Sequence, residues 1–203
     1  MRMRPAVFID RDGVVNQDSW DFIKSWEEFH FRPDVLPALK RLREQDIETY
    51  MITNQSGIAR GYLTEQALLD ILTRMRLTVS QSGGLIHGIS WCPHMTDDDC
   101  FCRKPLPGQL LLTAAKYGLD LSRSVMVGDS AADVNAAHAA GCEAIFVTTR
   151  SELPPDPQAA PGSPPVDYVA AQLEQCEQPP DHICANLGEA VQIILDMPQF
   201  QGR

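Results

Sequence analysis

Long hydrophobic runs are missing from this sequence. The first apolar stretch, residues 5–9, is too short for the core of a signal peptide, and no later stretch approaches the length of a membrane span. These absences argue against a secreted protein and against a membrane protein. We therefore expect a cytoplasmic protein without a membrane partner.

Positive charge is also scarce. Lysine and arginine number 17 against 27 aspartates and glutamates, which gives a formal net charge of −10 at pH 7. Proteins that bind nucleic acid neutralise its phosphates with basic side chains, so this balance argues against such a partner. A small phosphorylated substrate remains compatible with it if a few basic residues are placed locally against the overall field.

Room for a second domain is lacking as well, and no internal repeat is visible. With 203 residues, of which 44% are hydrophobic and 22% charged, the chain suits one well-buried globular domain. We predict a single domain over residues 1–203 that acts as a monomer. Residues 151–165 are rich in proline and have no apolar periodicity, which predicts a loop.

Short apolar runs alternate with segments of helical periodicity along the chain. This alternation is typical of βαβ units and predicts an α/β fold with a mainly parallel sheet flanked by helices. Residues 166–173 and 182–187 both qualify as the edge strand, and a short helix is predicted at 189–195. The other predicted strands are residues 6–10, 48–53, 85–91, 124–129 and 143–149, and the other helices are 33–45, 64–80, 107–117 and 131–140.

The sequence Asp10-Arg11-Asp12-Gly13 directly follows the first predicted strand. Ligands of open α/β sheets bind at the carboxyl ends of the strands, so a nucleophile or a metal ligand belongs at this position. Taken alone, the motif is also compatible with a polar turn that caps the strand. Its interpretation depends on whether other strands end in complementary groups.

Two further predicted strands end in such groups. Thr53 closes the second strand and precedes a turn of small polar residues that can offer a hydroxyl and N–H groups to a phosphate. Asp129 closes the fourth strand. Asp133 lies one helical turn further on, where it either faces the same site or balances the helix dipole. A cation pair, Arg103 and Lys104, precedes the third predicted helix.

These groups together suit phosphoryl transfer. Asp10 can attack phosphorus and form an aspartyl-phosphate, while Asp12 can protonate the leaving oxygen and then deprotonate the attacking water. A hard cation such as Mg²⁺ prefers oxygen ligands, and we assign it to Asp10, Asp12 and Asp129. Lys104 neutralises charge on the phosphoryl oxygens, to which Thr53 donates a hydrogen bond.

A second group of ligand-type residues consists of three cysteines and one histidine. Three thiolates and an imidazole form a complete tetrahedral set for structural zinc. The short Cys-x-His and Cys-x-Cys pairs are less usual than Cys-x2-Cys, and the alternative is a chance cluster of cysteines near a histidine. We predict a zinc loop over residues 92–102 that fixes the following Lys104. Its ligands are Cys92, His94, Cys100 and Cys102.

The motifs resemble those of the haloacid dehalogenase superfamily of phosphohydrolases. The resemblance covers residues 6–149 and implies a Rossmann-like fold and dependence on magnesium. The segments between the motifs are too short for a separate cap domain, so we expect an open site. The matching positions are Asp10-Arg11-Asp12-Gly13, Thr53, Lys104, and Gly128-Asp129 with Asp133.

An uncapped fold with a zinc loop is similar to two groups within this superfamily. One removes the 7-phosphate of D-glycero-D-manno-heptose 1,7-bisphosphate, and residues 53–61 and 102–108 resemble that group. The other hydrolyses histidinol phosphate, and the five-residue spacer between His94 and Cys100 is closer to its pattern. We predict the heptose bisphosphate as substrate, which implies a step in heptose biosynthesis for lipopolysaccharide. The alternatives are histidinol phosphate and, in another class, a non-catalytic scaffold stabilised by zinc.

Resemblance to the heptose group also implies substrate contacts. By this resemblance Arg103 recognises the substrate. Arg60 is then free to bind the phosphate that does not react, a bidentate task that suits a guanidinium. The complete predicted set is Arg11, Asn54, Gln55, Ser56, Arg60, Arg103 and Ser130.

Overall fold

The computed structural model describes residues 3–152 and 167–201, which form one six-stranded parallel sheet with helices on both faces. The strands are β1 (Val7–Ile9), β2 (Thr49–Asn54), β3 (Gly88–Cys92), β4 (Val125–Gly128), β5 (Glu143–Val147) and β6 (His182–Cys184). The helices are α1 (Val35–Glu44), α2 (Glu65–Gln81), α3 (Gly108–Tyr117), α4 (Ala131–Ala140), α5 (Tyr168–Glu174) and α6 (Leu187–Asp196). These elements confirm the predicted α/β class.

Two hydrophobic cores cover the two faces of the sheet. Alternate residues of a strand point to opposite faces, so Val7 and Ile9 join one core while Phe8 joins the other. Helices α1, α2 and α6 pack on the first face, and α3, α4 and α5 on the second. Because both faces are covered, the strands consist of nearly continuous apolar residues, as the sequence indicated.

The C-terminal edge of the sheet decides between the two candidate strands. Residues 182–184 form β6 and pair in parallel with β5. The assignment of residues 166–173 as a possible strand is wrong, because the described part of that segment forms α5. The side chain of Asp167 caps this helix by accepting a hydrogen bond from the Ala170 N–H at 3.0 Å. The proline-rich loop predicted at 151–165 lies outside the described residues except for its first two.

The order of the strands, β3-β2-β1-β4-β5-β6, creates a crevice at one end of the sheet. From β1 the chain builds outward to β3, and from β4 it builds outward in the opposite direction to β6. The crevice therefore opens at the carboxyl ends of β1 and β4, where such sheets bind ligands. Within the described residues, the connections from β1 to β3 contain α1, α2 and a short 3-10 turn but no separate domain. No helix among them is long and apolar enough to cross a membrane.

Candidate active site

An acidic cluster of Asp10, Asp129 and Asp133 occupies this crevice. Their candidate ligand oxygens all lie within 4.8 Å of one another, and all three side chains are buried. Asp10 follows β1 and Asp129 follows the adjacent β4, so the parallel pairing of these two strands brings their carboxylates together. Close approach also depends on Gly13, which has a φ of +82° and where any Cβ would overlap the Asp129 carboxylate.

Lys104 holds two members of the acidic cluster. Its Nζ lies 2.9 Å from Oδ1 of Asp10, donates to Asp133 Oδ1, and donates to the main-chain oxygen of Ile52 at 3.0 Å. Burial lowers the pKa of Lys104, but the neighbouring carboxylates of Asp10 and Asp133 outweigh it and raise the pKa. The ammonium group therefore stays charged in the crevice.

The amide of Asn54 positions the backbone of Lys104. Asn54 Nδ2 donates to the main-chain oxygen of Lys104 at 3.0 Å, and its Oδ1 accepts from the Lys104 N–H at 3.1 Å. Gln109 reinforces this arrangement by donating to the main-chain oxygen of Cys102 at 3.0 Å. The end of β2 is thus tied directly to the segment that carries the lysine.

Asp12 is surrounded by hydrogen-bond donors. Arg11 donates to both of its oxygens at 2.7 Å, Asn16 donates to Oδ1 at 3.0 Å, and Gln55 donates to Oδ2 at 2.8 Å. Burial alone would raise the pKa of Asp12, but the Arg11 charge and these hydrogen bonds bring it below the usual value. Asp12 is therefore a carboxylate here. Because Asp133 rather than Asp12 completes the acidic cluster, Asp12 as a magnesium ligand stays a prediction.

Thr53 and Ser56 are less accessible than the sequence suggested. Thr53 is 1% exposed, and its Oγ1 accepts a hydrogen bond from Gln55 Nε2 at 2.9 Å. Gln55 thereby links the Thr53 hydroxyl to Asp12. Ser56 is also buried, and neither Thr53 nor Ser56 lines the cavity described next.

A cavity of about 270 Å³ opens above the acidic cluster. Of the residues predicted to bind or transform substrate, it is lined by Asp10, Arg11, Asp12, Asn54, Gln55, Arg103, Lys104 and Ser130. Arg60 does not line it and is exposed on the turn after β2. Four further lining residues, Asp18, Ser19, Phe22 and Ile23, lie in the segment 17–23, for which the sequence predicts an influence on specificity, whereas Ala132 and Arg150 were not among the predicted site residues.

Arg150 is the most informative residue that the sequence reasoning missed. It lies in the 3-10 turn Thr148–Glu152 after β5, with Nε 3.2 Å from Asp129 Oδ2 and Nη1 3.5 Å from Asp18 Oδ2. A lone arginine after a strand, without a motif around it, carries no recognisable signal. Its position becomes meaningful only because β5 is the neighbour of β4.

The charges of the crevice are unbalanced. Burial, partly offset by Lys104, raises the pKa of Asp10 to about 7, and burial also raises the pKa of Asp129. Both carboxylate oxygens of Asp129 are buried and accept no hydrogen bond within the described residues. Five carboxyl groups line the cavity or form the acidic cluster, against four cationic side chains, Arg11, Arg103, Lys104 and Arg150, so carboxyl groups are in excess. The Asp129 oxygens that lack a hydrogen-bond donor and the excess of carboxyl groups both favour the binding of a divalent cation.

A Cys/His cluster, formed by Cys92, His94, Cys100 and Cys102, lies beside the crevice. His94 Nδ1 lies 3.4 Å from the sulfurs of Cys92 and Cys102, and the sulfurs of Cys92 and Cys100 lie 3.9 Å apart. A tetrahedral zinc ion requires separations of about 3.6 Å for nitrogen to sulfur and about 3.8 Å for sulfur to sulfur. The geometry therefore fits the predicted ligand set.

Arg103 connects the Cys/His cluster with the cavity. Its Nη1 donates to the main-chain oxygen of His94 at 3.1 Å, and its side chain lines the cavity next to Lys104. The Cys/His cluster thus lies next to Arg103 and Lys104, two cationic side chains that line the cavity.

Comparison with known proteins agrees with this geometry. A family model for haloacid dehalogenase-like hydrolases matches residues 5–141. The chain belongs to this family. A second family model, for proteins similar to these hydrolases, matches residues 101–190 of the chain. The resemblance of the strand-end motifs is thereby confirmed.

Several relatives share a longer similarity with this hydrolase. D-glycero-beta-D-manno-heptose-1,7-bisphosphate 7-phosphatase of Bordetella bronchiseptica is 45% identical over 143 residues, which cover 70% of this chain and 80% of that protein. The enzyme of the same name from Pseudomonas aeruginosa is 43% identical over 146 residues, covering 72% and 82%. A crystal structure of the B. bronchiseptica D,D-heptose 1,7-bisphosphate phosphatase, complexed with magnesium and phosphate, has a TM-score of 0.79 and 36% identity. That comparison covers 94% of this chain and 98% of that one.

Asp133 has a double role in this member of the family. Its Oδ2 accepts hydrogen bonds from the Ser130 N–H at 3.2 Å and from Ser130 Oγ at 2.5 Å, which closes the first turn of α4. Its Oδ1 accepts from Lys104. The sequence left two alternatives for Asp133, an acid in the first turn of a helix or a residue that faces the site. The structure shows both.

Proposed function

We propose that this protein is a magnesium-dependent phosphomonoester hydrolase that removes the 7-phosphate of D-glycero-D-manno-heptose 1,7-bisphosphate. The observation that carries the proposal is the acidic cluster with Lys104 at the strand crossover, below a polar cavity. Relatives of 43–45% identity that bear the name of this activity support the choice of substrate.

Asp10 is the proposed nucleophile. Its Oδ1 accepts hydrogen bonds from the Arg11 N–H at 2.7 Å and lies 2.9 Å from Lys104 Nζ, which fixes the carboxylate. In the part of the chain that the structure describes, Oδ2 accepts no hydrogen bond and is available for attack. Attack on phosphorus forms an aspartyl-phosphate and breaks the bond between phosphorus and the sugar oxygen, which takes a proton from Asp12 and leaves as the alcohol. Lys104 stabilises the charge that develops on the phosphoryl oxygens.

Asp12 is the proposed acid and base. Its lowered pKa keeps Asp12 deprotonated, the form that can take a proton from the water that hydrolyses the aspartyl-phosphate. Donation of a proton to the leaving sugar oxygen needs the protonated form. Weakening of the contact with Arg11 would raise the pKa of Asp12 toward that form.

Two metal ions belong to the proposal. Asp10 and Asp129 would hold Mg²⁺, whose charge would balance the phosphate in the cavity. The Cys/His cluster would hold a structural zinc ion that keeps Arg103 and Lys104 in place. We propose a single cytoplasmic domain that acts as a monomer.

Phosphate release tests the proposal directly. We expect kcat/KM to be higher for heptose 1,7-bisphosphate than for histidinol phosphate, and activity to disappear when magnesium is removed by chelation. A preference for histidinol phosphate would overturn the substrate and leave the chemistry intact. Absence of phosphate release from both substrates, with magnesium present, would favour the scaffold alternative.

A further inference from the structure

The segment after the motif at residues 10–13 lies at the mouth of the cavity and contributes an aromatic side chain to it. Phe22 lines the cavity together with Asp18, Ser19 and Ile23 of the same segment. Among the lining residues that the structure describes, Phe22 carries the one aromatic ring, and most of the others are polar or charged. None of the steps proposed above uses this ring.

The backbone of Phe22 adopts an unusual conformation. Its φ is +58°, in the left-handed region that is unfavourable for a bulky L-residue. The other described non-glycine residue with a positive φ is Asp46, a residue type that enters this region more readily. Strain of this kind persists only where surrounding contacts maintain it, and it concentrates at ligand sites. The conformation of Phe22 therefore calls for a search of its contacts.

The turn after β2 holds the ring of Phe22. The ring centroids of Phe22 and Tyr62 lie 5.1 Å apart, with an angle of 42° between the ring planes. The ring also packs closely on Gly57, where a Cβ would lie 3.2 Å from Phe22 Cδ1. Two residues before Phe22, the Trp20 ring packs against that of Tyr168 in α5, with centroids 5.2 Å apart. The segment is thus attached on the β2 side of the crevice and again at α5, which follows β5.

The ring of Phe22 complements the charged part of the cavity. Asp10 and Lys104 suit the phosphate that reacts, but they offer no apolar surface to the carbon skeleton that carries it. A sugar presents C–H groups on the faces of its ring, and ligand cavities bind such groups with aromatic and aliphatic side chains. Phe22 is half-buried, so part of its ring remains accessible from the cavity.

We propose that the ring of Phe22 packs against the carbon skeleton of the sugar and is a specificity-determining residue; this inference rests on the proposed function. Tyr62 and Gly57 hold the ring in place, and the left-handed backbone of Phe22 is maintained by these contacts. In a site without a cap domain, this side chain supplies an apolar wall for the sugar, while Asp10 and Lys104 act on the phosphate.

The test removes the ring and keeps the backbone. Asparagine accepts a positive φ, so Phe22→Asn should raise the KM for heptose 1,7-bisphosphate about fivefold to tenfold, with a smaller effect on kcat. Inorganic phosphate has no carbon skeleton, so its Kd in the presence of magnesium, measured by calorimetry, should change less than about twofold. Phe22→Tyr keeps the ring and should retain a KM near that of the wild type.

Tyr117→Asn is the matched control. The Tyr117 ring also packs on another aromatic ring, that of Tyr50 at 4.7 Å, and it lies beside Gly88 at the start of β3, away from the crevice. This variant should lose thermal stability and keep the KM of the wild type.

An unchanged KM in Phe22→Asn would overturn the inference, and so would a parallel rise in the KM and in the Kd of phosphate, which would mean that Phe22 only supports the phosphate site. Thermal unfolding verifies that each variant is folded. If Phe22→Asn does not fold, Phe22→Gly carries the comparison, because glycine adopts a positive φ freely. Wild-type protein that does not hydrolyse the bisphosphate would instead refute the proposed function.

Discussion

The acidic cluster and the Cys/His cluster are both groups of ligand-type side chains, but they are built in opposite ways. Asp10 is far in the sequence from Asp129 and Asp133, and all three are buried and contact cations from two further segments. The Cys/His cluster comes from one short loop, residues 92–102, and three of its four members are partly exposed. Its geometry needs little more than the local course of the chain.

The two clusters therefore differ in how strongly they depend on the folded sheet. The acidic cluster can form only when β1 and β4 pair, so it depends on the folded sheet. The Cys/His cluster, which we propose binds zinc, lies within one loop and is connected to Arg103 and Lys104 by a short stretch of chain. Changes in the acidic cluster should therefore leave the Cys/His cluster intact, whereas changes in the Cys/His cluster should loosen Arg103 and Lys104.

The largest effect is expected from Asp10→Asn. An amide is not a nucleophile for phosphorus, so phosphate release should fall about 10⁴-fold or more. Zinc content, measured by metal analysis, should remain about one per chain, because the Cys/His cluster is untouched. Near-normal turnover would show that another group attacks phosphorus, and a loss of zinc would show that the two clusters are not independent.

The next prediction changes the Cys/His cluster through Cys100→Ser. We expect the variant to lose zinc and to release phosphate about 10- to 100-fold more slowly, because Arg103 and Lys104 lose their anchor. Cys176→Ser, which changes a cysteine outside the cluster, serves as the control and should keep both zinc and activity. Full activity in a zinc-free Cys100→Ser protein would contradict the supporting role.

Magnesium binding should depend on pH through Asp10. Its pKa is raised to about 7, so below that pH the carboxyl is protonated and magnesium must displace the proton. Calorimetric titration of the substrate-free protein should therefore give binding about tenfold weaker at pH 6 than at pH 8. Asp10→Asn should reduce this dependence to the part that comes from Asp129, whose pKa is also raised. An unchanged affinity in the wild-type protein would mean that Asp10 is already ionised at pH 6.

The smallest effect is expected from Asn54→Ala, which loosens Lys104 without touching either cluster. Loss of the two hydrogen bonds to the Lys104 backbone should lower kcat about fivefold to tenfold. Asn135→Ala is a matched control, because the Asn135 amide also bridges two backbone groups, those of Gln175 and Glu177, far from the crevice. Both variants should lose similar stability in thermal unfolding, but only Asn54→Ala should lose activity.

Much of the fold and of the site could be predicted because strand-end motifs combine two local signals. Asp10 and Asp129 each follow an apolar run of strand length, and α/β sheets place such ends at one edge. The edge strand could not be chosen in this way. Residues 166–173 and 182–187 have similar apolar content, and the capping by Asp167 together with pairing to β5 decided between them.

The sequence by itself determined the α/β class through the alternation of apolar runs with helical segments. It also predicted the strand-end carboxyl groups and the Cys/His cluster, because these depend on spacing along short stretches of chain. Only the tertiary structure decided what surrounds them. The hydrogen bond from Gln55 to Asp12, the contacts of Lys104 with Asp10 and Asp133, and the contact of Arg150 with Asp129 all join separate segments. The physical reason is that charge balance and burial in the crevice depend on which strands are neighbours, and neighbours in the sheet are not neighbours in the chain.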